Sequence, residues 1–160
     1  SVFGKLFLAI WKGFFADIRQ VYKGRHEILL SKLITEPTHS ILTQSYDSRL
    51  RLVRTMRETL FDRQLTMFVQ DTRRPVNGDG FGVGFYPDPK LGPEPCIFTS
   101  TLPAWNCENL ERLASKTCSN LIFAHVRATT EGTLAENNCH PFQHNTLMWM
   151  HNGNIGAWKY

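Results

Sequence analysis

The chain has 160 residues, of which 42% are hydrophobic and 20% charged, with a formal net charge of +4. That is enough apolar material for one compact domain, and it excludes a disordered or low-complexity chain. The charge is thinly spread: Lys5, Lys12 and Arg19 against Asp17 give +2 before Val21, Arg54, Arg57 and Arg63 against Glu58 and Asp62 give +1 between Val53 and Gln70, and +1 remains for everything else. This is no nucleic-acid footprint, and the arginines from Arg49 to Arg74 carry no recognisable nucleic-acid-binding motif, so no nucleic-acid partner is expected.

At the N-terminus, Leu6 to Trp11 is apolar but too short to span a bilayer. No small-residue cleavage site of a secretory signal follows it. An interfacial helix is the membrane-bound alternative; the expectation is no membrane partner and a cytoplasmic protein. Val53 to Gln70 offers Met56, Leu60 and Met67 as the partial stripe of an exposed helix, without a cap or a steady period. Gly78, Gly80, Gly82 and Gly84 then alternate with Asp79, Phe81, Val83 and Phe85. A strand there has one face nearly bare of side chains, so something must approach its backbone closely. Neither a phosphate-binding glycine loop nor an EF-hand fits the spacing.

Asn106 to Lys116 reads as an amphipathic helix, with Leu110, Leu113 and Ala114 on one side and Asn109, Glu111 and Arg112 on the other. Ile122 to Arg127 reads as a strand with Phe123, His125 and Arg127 on one face and Ile122, Ala124 and Val126 on the other. Arg127 is suited either to an ordinary strand-end ion pair or to gripping a carboxylate with its guanidinium fork. Leu147 to Met150 is an apolar strand that delivers His151-Asn152-Gly153-Asn154 to its end. An Asn-Gly pair is commonly just a tight turn. At a rigid strand end it can also present a side-chain amide and a backbone N–H to one oxyanion.

Cys96, Cys107, Cys118 and Cys139 contain no Cys-x-x-Cys pair and are expected as reduced, mostly buried thiols. His140 and His144 have helical spacing, but Pro141 lies between them and no second ligand pair is spaced for zinc, so no metal is expected. Short strands mixed with helices give an α+β fold.

In order and spacing, Asn77-Gly78-Asp79-Gly80-Phe81-Gly82-Val83-Gly84, Ala124 to Thr130 and His151 to Asn154 resemble the class II glutamine amidotransferases, N-terminal-nucleophile enzymes that cleave a γ-glutamyl amide. Ile28 to Ser40, Gln44 to Arg49, Leu91 to Pro95, Pro103 to Asn106 and Asn138 to Phe142 are similar to a subgroup acting in fungal glutathione degradation. The resemblance runs from about Val21 to Tyr160.

It implies a four-layer αββα sandwich of which this chain holds part, the C-terminal portion lying beyond Tyr160. It implies an oxyanion hole of Asn152 and Gly153, and a glutamyl-binding group of Arg127 and Thr130, with Gly80 in the floor of the site. His125 is then a buried histidine, because the family takes its base from the chain's own amino terminus. The substrate would be a small γ-glutamyl compound, glutathione or glutamine, with a peptidase-like partner subunit and no cofactor.

The departures from the pattern are specific. The family's nucleophile is a cysteine standing first in the mature chain, followed by a short apolar strand and a turn that Tyr22-Lys23-Gly24 would match; it is expected here close to Ile18, yet no cysteine precedes Cys96. Residues 1–20 are atypical, and residues 53–70 interrupt a domain otherwise running over 21–160. Valine codons begin with GT and glutamine can end in CAG, the borders of an intron. Both segments are therefore expected to be translated introns, and uninterrupted transcript reads across Val53 to Gln70 would refute this. The chain as written is expected to be an inactive fragment; the alternative is a non-catalytic γ-glutamyl-binding or interaction subunit.

Overall fold

The computed structural model describes the backbone of residues 8–11, 18–47, 52–56, 66–70, 76–129 and 133–152, and the side chains of 19–47, 76–129 and 133–151. The elements run β1 (Leu8–Trp11), β2 (Ile18–Leu29), α1 (Ser31–Ile34), α2 (Ile41–Tyr46), β3 (Leu52–Met56), β4 (Thr66–Gln70), β5 (Phe81–Phe85), β6 (Cys96–Ser100), α3 (Glu108–Ala114), β7 (Cys118–Val126), β8 (Phe142–His144) and β9 (Leu147–Asn152). The fold is α+β, as the sequence leads one to expect. A four-stranded antiparallel sheet in the order β2-β7-β5-β6 forms its centre, beside a three-stranded sheet β1-β9-β8.

The central strand β7 is buried from Leu121 to Val126 because both faces are covered, hence its nearly unbroken apolar run. On one face Ile122, Ala124 and Val126 join Phe81, Val83 and Phe85 of β5 and receive Ile34, Ile41, Leu110 and Ala114 from the three helices. On the other, Leu121 and Phe123 pack with Tyr86 and with Met148 and Met150 of β9. The layers described are therefore helix, sheet, sheet. The strand alternation read from the sequence at Ile122 to Val126 holds.

The helix expected over Asn106 to Lys116 is found as Glu108–Ala114, preceded by a 3-10 turn at Ala104–Asn106. Leu110 and Ala114 face the core, and Arg112 Nη2 donates to Glu108 Oε2 at 2.7 Å on the solvent side. Helix α2, which the sequence reading did not anticipate, starts at Ser40, whose Oγ accepts from the Thr43 N–H at 3.2 Å and satisfies one of the unpaired N–H groups of the first turn.

Two alternatives raised by the sequence and one expectation are corrected. The helical stripe of Met56, Leu60 and Met67 does not form: Met56 and Met67 lie in β3 and β4, an antiparallel pair running from Leu52↔Gln70 to Met56↔Thr66, and Leu60 lies outside the described residues. Alternating Thr, Val and Phe in these stretches favours a pleated ladder over a capless helix. Leu8–Trp11 is not an interfacial helix but a strand, parallel to β9 from Leu8↔Trp149 to Trp11↔Asn152. The turn expected at Tyr22-Lys23-Gly24 is instead an irregularity inside one long strand: β2 pairs Lys23↔Leu121 and next Ile28↔Ser119, so five steps on β2 oppose two on β7.

The cysteines form no disulfide, but only Cys139 is buried; Cys96 and Cys118 are exposed. No helix among the described residues is long and apolar enough to cross a membrane.

The two sheets are tied by Tyr86, buried just beyond β5, whose Oη donates to the Thr146 carbonyl at 2.7 Å in the turn between β8 and β9. Tyr86→Phe is expected to lower the unfolding free energy by about 1 kcal/mol, the net worth of one such bond, read from a urea titration at neutral pH. Burial raises the Tyr86 phenol above its ordinary value, and the bonding to the β9 backbone opposes this more weakly. The raised value means that its contribution is whole below the unfolded phenol's pKa and is lost as the pH climbs through the folded one. Parent and Tyr86→Phe stabilities should therefore converge in alkali; a constant gap would contradict this.

Candidate functional site

The site is built where β7 ends. Antiparallel pairing sets Val126 beside both Ile18 of β2 and Phe81 of β5. Immediately beyond it the backbones continue to bond: the Arg127 N–H donates to the Gly80 carbonyl at 2.9 Å, and the Asp79 N–H donates to the Arg127 carbonyl at 3.1 Å. The Asp79 carboxylate then accepts from the Thr129 N–H through Oδ2 at 2.8 Å. The segment leading into β5 and the segment leaving β7 are thus one clamped unit.

On its other side this unit is fixed to α2. Asn77 is fully buried; its N–H donates to the Ser45 carbonyl at 2.8 Å and its Nδ2 to the Gln44 carbonyl, also at 2.8 Å.

Arg127 is 9% exposed. Its Nη1 donates to the Thr133 carbonyl at 3.3 Å, an oxygen that also accepts from Asn138 Nδ2 at 3.1 Å. Among the described residues the guanidinium forms no ion pair. A charged group so little hydrated needs an anion or several acceptors to hold it.

The bare face of β5 has an occupant. A Cβ on Gly80 would lie 2.7 Å from Cys139 Sγ, one on Gly82 would meet the His140 carbonyl with its carbon at 2.9 Å, and one on Gly84 would lie 2.6 Å from Pro141 Cγ. The segment Cys139-His140-Pro141 therefore lies flat along the glycines. Gly80 also has φ of +114°, a conformation that L side chains rarely adopt. The close approach inferred from the alternating glycines is real, and at Gly82 and Gly84 it is the protein's own chain that makes it.

That strap sets a row of rings along the site. The His140 ring lies edge-on to the fully buried His125 at 4.5 Å between centroids, against Phe142 at 4.4 Å, and 6.5 Å from His151. His151 is the penultimate residue of β9, whose last residue Asn152 lies opposite Trp11 of β1.

Of the residues singled out in the sequence, Arg127 and Gly80 are joined directly by a backbone hydrogen bond. Asn152 is described as backbone only, at the end of β9 and two residues past the buried Met150. Gly153 and Thr130 lie outside the described residues. His125 is buried as expected. Sequence reasoning missed Asp79, whose position between two glycines was the available signal, and the strap at 139–141. His144, in the short strand β8, is exposed, and no three His, Cys, Asp or Glu among the described residues converge as a metal site.

Comparison with known proteins agrees with this architecture. The family model of the class-II glutamine amidotransferases matches residues 55–160. The probable glutamine amidotransferase DUG3 of Saccharomyces cerevisiae is 50% identical over 141 residues, which make up 87% of this chain and 34% of the yeast protein. The chain thus spans about a third of the length of that curated relative. With two thirds of its residues inside the family match, the chain belongs to the class II glutamine amidotransferases.

Proposed function

We propose that this chain supplies the glutamyl-recognition and oxyanion-stabilising part of a site that cleaves a γ-glutamyl amide through a cysteine thioester. The observation that carries the reading is Arg127: a guanidinium 9% exposed, without a described carboxylate partner, clamped at the end of β7. In this reading the Arg127 fork takes the α-carboxylate of the glutamyl group, with Thr130 beside it. The Asn152 side chain and the Gly153 N–H receive the oxyanion as a thiolate attacks the γ-carbonyl; its collapse breaks the C–N bond and expels the protonated amine, and water then cleaves the γ-glutamyl thioester to glutamate and the free thiol. Gly80 belongs to the floor of the site, its bare Cα packed against Cys139. The complete domain is an αββα sandwich, of which helix, sheet and sheet are described here.

The thiolate belongs at the leading end of β2, near Ile18, because that end lies beside Val126, one residue before Arg127. The chain's own thiols stand elsewhere. Cys139 Sγ is buried beneath Gly80 and donates to the Ser100 carbonyl at 3.5 Å. Cys118 begins β7, roughly 30 Å of extended chain from Arg127, Cys96 opens β6 opposite Phe85, and Cys107 precedes α3.

Residues 16–20 read Ala-Asp-Ile-Arg-Gln. That observation favours a second reading, a subunit that binds γ-glutamyl compounds without turning them over. In both, the substrate class is glutathione or glutamine in the cytoplasm, the pathway is glutathione breakdown, and a peptidase-like subunit is the partner.

The test is a calorimetric titration of the 160-residue chain with glutathione, L-glutamate and γ-aminobutyrate. Glutathione and glutamate should bind. γ-Aminobutyrate, which lacks the α-carboxylate, should bind at least roughly tenfold more weakly, the worth of about one charge-assisted hydrogen bond. Equal binding of all three, or of none, would overturn the proposal. Release of glutamate from glutathione by this chain would exclude the second reading alone.

A further inference from the structure

We propose that Asp79 is a positioning residue for the glutamyl end of the substrate, acting through the Thr129 N–H; this rests on the assignment of Arg127 and Thr130 made above. Asp79 does not carry the reaction and is not a substrate ligand in this scheme. Its carboxylate reaches across from the lead-in of β5 and takes the Thr129 N–H at 2.8 Å, two residues beyond the guanidinium-bearing position and one before Thr130.

Its own backbone is pinned to the same strand exit, since its N–H donates to the Arg127 carbonyl at 3.1 Å while Arg127 in turn donates to the Gly80 carbonyl at 2.9 Å. Three hydrogen bonds within three residues on each side leave the Arg127–Thr129 segment one direction in which to leave the sheet. From there Arg127 Nη1 closes the loop again on the Thr133 carbonyl at 3.3 Å.

The environment of Asp79 makes this direction stiff. Gly78 lies against the Trp105 ring, where a Cβ would come to 2.9 Å of Cη2, and Gly80 holds φ of +114° against Cys139 and the Ser100 carbonyl. With both neighbours fixed, the Asp79 backbone has little room to shift, and its half-buried carboxylate meets the Thr129 N–H at 2.8 Å. An ionised acceptor also makes a stronger bond to a backbone N–H than a neutral one does. A loop residue meant to meet a ligand is ordinarily among the more mobile parts of a fold, so a charged anchor immediately before it is where pre-organisation is most useful.

The test uses the full 160-residue chain, with glutathione titrated calorimetrically into the parent, Asp79→Ala and Asp79→Asn, and with the Thr129 amide followed by NMR in each. Asp79→Ala should bind glutathione roughly tenfold more weakly, the loss of one bond to a charged group. Its Thr129 amide should exchange faster with solvent. Asp79→Asn, which keeps an acceptor oxygen of the same reach, should return affinity to within about threefold of the parent. A residue serving only the fold would not give this split between the two variants while both remain folded.

Tight glutathione binding by the parent together with an unchanged Asp79→Ala would overturn the role of Asp79 and leave the functional reading intact. A parent that binds no glutathione overturns the functional reading and the positioning role resting on it. If Asp79→Ala does not fold, Asp79→Asn decides: the Thr129 amide proton should shift upfield as its acceptor loses charge, and an unmoved resonance would overturn the assignment.

Discussion

Gly82→Ala is expected to destabilise the chain by about 3 kcal/mol, the upper end of the cost of overfilling a packed interior. The central strand β5 is hydrogen-bonded on both sides, with Gly82 opposite Thr99 of β6 and His125 of β7, so it has no free edge toward which to shift. The added Cβ would run into the His140 carbonyl, with that group's carbon at 2.9 Å and Thr99 Cγ2 also at 2.9 Å. Both carbonyl atoms are backbone, and the preceding residues are anchored in a 3-10 turn, the Cys139 N–H donating to the Glu136 carbonyl at 2.9 Å.

Relief therefore requires the whole strap to lift, and with it the His140 ring that lies between His125 and Phe142. Gly84→Ala makes the internal comparison. Its new methyl would meet Pro141 Cγ at 2.6 Å and the sulfur of Met148, and methionine can rotate out of the way. Urea unfolding of the two variants should place Gly82→Ala well below Gly84→Ala. Equal midpoints would mean that the strap yields easily and does not shape the site.

What made the glycine lane legible in the sequence was its period. Glycines at every second position of an otherwise apolar strand have few readings other than a face approached by something bulky. What approaches was not legible, because the strap comes from residues 139–141, nearly sixty positions later, and depends on a pairing of sheets that no local pattern encodes. The same division runs through the site. Alternation at Ile122 to Val126 marked the two faces of β7, and the apolar Leu147 to Met150 marked a strand that the structure carries on through His151 to Asn152.

Asp79 was invisible as an anchor because its partner, the Thr129 N–H, is fifty residues away and offers no side-chain signature. The long run of β2 through Tyr22-Lys23-Gly24 was misread for a related reason. The resemblance placed a turn there, while in the fold the extra residues are absorbed as an irregularity against the straight strand β7. Among the described residues, 52–56 and 66–70 ladder only with each other, which their β-branched content permits and their sparse apolar stripe concealed.

Arg127 gives the second large effect, and in it stability and binding should part. Arg127→Ala removes the fork that would grip the α-carboxylate, and loss of a charge from a nearly buried ionic contact costs about 3 kcal/mol, roughly a hundredfold in the dissociation constant for glutathione. Arg127→Lys keeps the charge but not the paired N–H geometry. It should recover only part of that, settling about tenfold above the parent.

The fold should respond in the opposite sense. In the unliganded chain the guanidinium is 9% exposed and holds one described hydrogen bond, at 3.3 Å to Thr133. A charge so placed is dehydrated without full compensation, so a well-packed apolar replacement commonly leaves stability unchanged or raises it. Arg127→Met should therefore unfold at the parent's urea midpoint or above it while binding no glutathione. Saturating glutathione should raise the parent's midpoint and leave that of Arg127→Met where it was, since only a ligand that binds the native state stabilises it. Should Arg127→Met instead unfold well below the parent, the guanidinium is a structural ion held by the protein itself, and the carboxylate-binding role falls with it. An Arg127 retained against the interest of stability is what a group kept for its ligand looks like, and the two midpoints decide between these cases without any need for turnover.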